Sequence, residues 1–173
     1  AGRGFWPGLC VSLKHNSKFA SFTILAKGDY PSELNIPIPF SLVSNEVSKD
    51  QLTVMPGYWF LYNMYALSRN SWKYSDRDKR INKTQFIEFN FLGPDTVNEI
   101  IFALELMEEL TGRAYLEQKG TTQSISRQEM INTGKKLLER KDKILDELEI
   151  TAHGFENSTR KVKLIKVPQA YHV

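Results

Sequence analysis

Apolar residues return at every sixth position near the start of the chain. Cut from Pro7, the sequence divides into hexads beginning at Pro7, Leu13, Phe19 and Leu25. The first position of the last three is large and apolar. The second is small in three of the four, at Gly8, Ala20 and Ala26. The fifth holds Val11, Ser17, Thr23 and Asp29, mostly small. An apolar first residue can point into a narrow interior, while small residues sit where the backbone turns. Three such sides make one coil of a triangular solenoid. The spacing therefore predicts the end of a left-handed parallel β-helix over residues 1–43, with a proline-rich exit at Pro31–Pro39. Ordinary strands are the alternative, because Leu9, Val11 and Leu13 also alternate with period two. One coil cannot bury its own faces, so further coils are expected upstream. The start at Ala1, with the repeat already running, reads as a fragment of a longer protein.

From residue 44 to residue 173 the period changes, and a mainly helical appendage is expected. The fold class is thus α+β. A first helix is predicted from Pro56 to Arg77, apolar on most sides and therefore central. A second begins at Gly93-Pro94-Asp95, where Asp95 or Thr96 can cap free N–H groups, and ends at Gly112. A third begins near Ser126, with Glu129 three residues on as in a capping box. Its apolar face runs from Met130 to Leu148. Phe40–Val43 and Thr84–Leu92 are expected as strands. Lys161–Val167 is expected as an edge strand stopped by Pro168. Lys119–Ser124 is the most loop-like linker.

Composition narrows the classes of function. The chain carries 23 basic and 20 acidic side chains, too small a surplus to argue for nucleic acid. No apolar run reaches the roughly 20 residues of a membrane span. The single cysteine, Cys10, excludes an internal disulfide, and a reducing, cytoplasmic setting is the default. Three scattered histidines and one cysteine give no metal-ligand spacing. No lysine-bearing phosphate loop is present.

Lys14-His15-Asn16 falls on an outward hexad edge. An imidazole there suits general-base work near neutral pH, and His15 is the candidate catalytic residue. The plainer reading is a surface histidine at a turn. Arg3 and Trp6, with Phe5, form a basic and aromatic group flanked by glycines, and with Lys14 and Asn16 are candidate substrate-binding residues. The plainer reading is packing under the helices. Arg69, Trp72, Lys73, Arg77, Lys79 and Arg80 cluster at the end of the first helix. They suit a phosphate, or simply a solvated helix end favoured by the helix dipole.

The hexads Leu13–Tyr30 resemble those of the hexapeptide-repeat proteins, which include acyltransferases and sugar-nucleotide enzymes. The stretches Gly4–Phe22 and Met55–Leu67 also resemble an uncharacterised family of large bacterial proteins with a helical C-terminal region. The resemblance implies a transferase acting on a sugar phosphate or nucleotide sugar. It implies no resident cofactor, with acetyl-coenzyme A as donor if acyl groups are transferred, and a homo-oligomeric assembly. The alternative is a non-catalytic capping or oligomerisation module.

Overall fold

The computed structural model describes residues 1–120 and 125–173. Thr121–Ser124, the last four of the six residues of the expected linker, lie outside the described residues.

The hexad segment forms six very short strands: β1 (Trp6–Pro7), β2 (Val11–Leu13), β3 (Lys18–Phe19), β4 (Ile24–Leu25), β5 (Gly28–Tyr30) and β6 (Asn35–Ile36). They pair parallel, with Trp6 opposite Ile24, Val11 opposite Gly28 and Lys18 opposite Asn35. The first-position residues Phe19 and Leu25 are buried. The small fifth position also has a physical reason. The hydroxyls of Ser17 and Thr23 each donate to the carbonyl three residues back, Lys14 and Ala20, and so close a turn. Ser41 does the same with Ile38. Gly8 is small because a Cβ there would stand 2.6 Å from the Leu25 carbonyl oxygen.

These local features do not make the expected β-helix. The architecture is α+β, a mixed six-stranded sheet in the order β1-β4-β7-β8-β10-β9 with five α-helices among the described residues. The hexapeptide-repeat fold is therefore corrected. β7 (Leu42–Glu46) turns back through Asp50, in a left-handed conformation, to pair antiparallel with β8 (Gln51–Met55). β8 then takes β10 (Lys161–Leu164) in parallel from near the end of the chain. β9 (Ile150–Thr151) closes the order antiparallel to β10. The hexads fix pairing only over 17 or 18 residues. Burial of Leu52, Val54, Val162 and Leu164, which lie outside the repeat, decides the rest of the sheet. The boundary expected after residue 43 falls inside β7, and the sheet runs across it.

Other elements differ for local reasons. The first predicted helix is two, α1 (Tyr58–Tyr62) and α2 (Met64–Arg77), broken at Asn63 where the backbone leaves helical angles. It is not central. Trp59, Ala66 and Leu67 are buried, but Tyr65 and Trp72 stand in solvent. Thr84–Leu92 forms no strand. α3 runs through Gly112, from Pro94 to Gln118. Gly112 serves close approach there, since a Cβ would overlap the Met130 carbonyl of α4 (Arg127–Arg140). The Ser126 hydroxyl accepts from the Glu129 N–H as expected, but α4 stops at Lys141, which is left-handed, well short of Leu148. β10 is flanked on both sides and is not an edge. Pro168 opens a further helix, α5 (Val167–Tyr171), a position that needs no N–H.

Candidate functional site

The three parallel ladders are covered on one side and bare on the other. On the covered side β8 pairs β7, and Asn45 Nδ2 donates to the Asp29 carbonyl of β5. The Asn35 N–H of β6 donates to the Phe155 carbonyl, and the Asn157 N–H donates to Glu33. A buried ion pair holds this loop, with Arg160 bound to Glu156 and to Asn45. On the opposite side, among the described residues, only β3 has a further partner, through the Gly2 N–H to Phe19. β1 and most of β2 face solvent, and Leu9 is 87% exposed. Cys10, between the two strands, is exposed as well. The Trp6 N–H donates inward to Thr23, and Gly8 to Leu25. Pro7 therefore takes the outward position, where its missing N–H leaves one fewer donor.

The candidate residues separate into two groups. Lys14, His15 and Asn16 lie together in an exposed turn, with Asn16 left-handed. Among the described residues no side chain hydrogen-bonds the His15 ring. Asn16 borders a shallow concavity with Lys18, Glu33 and Asn157, to which His15 does not contribute. Arg3 and Trp6 turn instead toward the helices. Arg3 Nε and Nη2 donate to both Asp95 oxygens, at 3.1 and 2.9 Å, and Nη1 donates to the Asn90 carbonyl. Its guanidinium lies over the Phe22 ring, 5.5 Å from the centroid. The Arg3 hydrogen bonds hold the Asp95 carboxyl below its ordinary range. Trp6 packs on Trp59, ring centroids 5.9 Å apart. The structure thus places Arg3 and Trp6 in the joint between strands and helices, not on one face with His15.

That joint is extensive. Trp59 Nε1 donates to the Phe22 carbonyl at 2.6 Å, and Phe22 stacks on Phe40 at 4.9 Å. Glu99 of α3 accepts the Ser21 N–H at 2.8 Å. Sequence reasoning missed Asp95 and Glu99 as partners. An acid in the first turn of a helix reads as a dipole or capping residue, and nothing in the sequence shows which distant donor it meets.

A second concavity, of about 410 Å³, lies between Pro39, Phe40, Phe60, α3 and α5. Its walls are mainly apolar, with His172 among them, and the Tyr171 hydroxyl beside it is already committed to Glu108 at 2.6 Å. Among the described residues no cluster of His, Cys, Asp or Glu is arranged to hold a metal ion. No described helix is long and apolar enough to cross a membrane.

No family model matches the chain, and no solved structure matches it. It is 40% identical over 176 residues to an uncharacterized protein of Treponema pallidum (strain Nichols). The aligned region covers 98% of this chain and 22% of that protein. The chain thus spans about a fifth of the length of the relative it matches.

Proposed function

We propose that the chain is a non-catalytic closing and assembly module. Its helices and its strands β8 to β10 cover one side of three short parallel ladders. The other side is left as an edge on which strands of a longer polypeptide pair. The observation that carries this reading is the asymmetry of that cover, with Leu9, Cys10 and Leu13 exposed along the uncovered side. An uncovered strand edge templates unwanted pairing, so an edge carrying large apolar side chains is more economically explained as a contact than as free surface. The match to a much longer relative agrees with it. A transfer reaction with His15 as base is supported less, because among the described residues His15 has neither a nucleophile within hydrogen-bond reach nor a third group orienting its ring.

Cys10 is the chain's only thiol and lies on the edge itself. Its rate of reaction with a maleimide therefore tests the proposal. The rate is expected to be fast in the 173-residue chain and at least tenfold slower in the full gene product. Equal rates in the two would sink the reading. A slow rate that recovers on dilution of the 173-residue chain would show a second copy on the edge instead.

A further inference from the structure

The C-terminal half of α2 and the segment Asp78–Gly93 enclose an open concavity of about 870 Å³. The segment has no helix or strand over its whole length. Connections this long without secondary structure are uncommon in a compact fold and often bind something. Lys73, Arg77, Lys79 and Arg80 line the concavity, against a single acid, Asp78. That acid is already taken. Arg80 Nε and Nη2 donate to its two oxygens, both at 2.8 Å, and Lys83 Nζ is 3.8 Å away. The Arg80 guanidinium holds its carboxyl well below the usual carboxylate range. Lys73, Arg77 and Lys79 are left with no carboxylate partner among the described residues.

A helix dipole alone favours cations in the last turn. It does not account for Lys73, a turn further back and half-buried in the concavity, nor for Lys79, beyond the helix end. Lys73 and Arg77, a turn apart on α2, and Lys79 beyond its end line one space. Asn70 adds an amide. Tyr74, stacked on Phe89 at 5.0 Å, and Ile87 supply a flat apolar side. Cations paired with such a surface fit a phosphate joined to a ring, and the volume suits a small molecule.

We propose that this concavity binds a small phosphorylated ligand. Lys73, Arg77 and Lys79 contact the phosphate, and Tyr74 and Ile87 contact the ring attached to it.

The test is calorimetric titration of the 173-residue chain with uridine diphosphate, and with uridine as the probe lacking phosphate. Both are run at one low, fixed ionic strength. The expected result is saturable binding of uridine diphosphate with a Kd on the order of 100 μM, and no binding of uridine. The double variant Lys73→Gln/Arg77→Gln weakens binding at least tenfold, while Lys135→Gln/Lys136→Gln on the exposed face of α4 leaves it unchanged. Should the first double variant fail to fold by circular dichroism, Lys79→Gln carries the test from outside any helix, and unchanged affinity there overturns the proposal. No saturable binding of uridine diphosphate overturns it. Equal weakening by the α4 variant also overturns it, as an effect of bulk charge. So does binding of a single-stranded oligonucleotide without binding of uridine diphosphate, which would mark a nucleic-acid surface.

Discussion

Gly134→Ala should destabilise the chain although it raises helix propensity. Gly134 lies in α4, where that helix crosses α3. An added Cβ would overlap the Glu108 carbonyl oxygen and stand 2.7 Å from its carbon and 2.8 Å from the Gly112 nitrogen. Every one of these is a backbone atom, so no side-chain rotation relieves the overlap and the two helices must move apart. Alanine in place of glycine favours a helix interior by about 1 kcal/mol. Overpacking of a tight contact costs about 1–3 kcal/mol, sometimes more. Overlap against two rigid backbones belongs at the upper end, so the net loss is about 2 kcal/mol. Urea denaturation followed by helical ellipticity would measure it. The reciprocal variant Gly112→Ala meets the Met130 carbonyl in the same way. One separation of the helices relieves both, so the double variant should lose clearly less than the sum of the two single losses. A neutral or stabilising Gly134→Ala, or strict additivity, would refute the backbone-to-backbone crossing.

Three further outcomes follow from the ion pairs and the joint. Asp95, Glu46 and Glu149 have carboxyls held below their ordinary range, chiefly by hydrogen bonds from Arg3, Lys49 and Lys161 respectively. Their stabilisation is present above the unfolded carboxylate range and is lost as pH falls through the lowered folded values, below about pH 4. Asp95→Asn should therefore show a smaller drop in melting temperature between about pH 5 and pH 2.5 than the parent, and parallel curves would count against the Arg3 pairing. Removal of Arg160 leaves the Glu156 side chain, which is fully buried, without its partner. Arg160→Met should cost about 3–5 kcal/mol, and Glu156→Leu/Arg160→Met much less, by chemical denaturation. Trp59→Phe deletes the donor to the Phe22 carbonyl and should cost about 1–3 kcal/mol. A neutral effect would mean the joint is not held there.

The hexads were legible because they act at short range. A small residue with a hydroxyl closes its own turn, and a glycine or alanine lets one strand lie on the next. The same pattern misled about the fold. It says nothing of the β7–β8 reversal or of β10 entering beside β8. The candidate site was partly legible in the same sense. The cations of α2 and its exit stand out as a cluster in the sequence. That Asp78 occupies Arg80 and leaves Lys73, Arg77 and Lys79 without a carboxylate partner among the described residues depends on how the segment after α2 lies. Arg3 and Trp6 were singled out for their chemistry, yet the structure uses them to join strands to helices.

The sequence by itself determined the hydroxyl-closed turns at Ser17 and Thr23, the Ser126 start of α4 and the proline-opened α3. Each rests on forces that act within a turn or between close neighbours in the chain: hydrogen bonds of side chains to nearby backbone, restricted dihedral angles and local periodicity. Only the tertiary structure decided the pairing of the hexad strands in a mixed sheet, the passage of α3 through Gly112, the Arg3–Asp95 joint and the gathering of cations beside α2. Those depend on which distant surfaces bury one another, and burial is a property of pairs of segments that no single segment encodes.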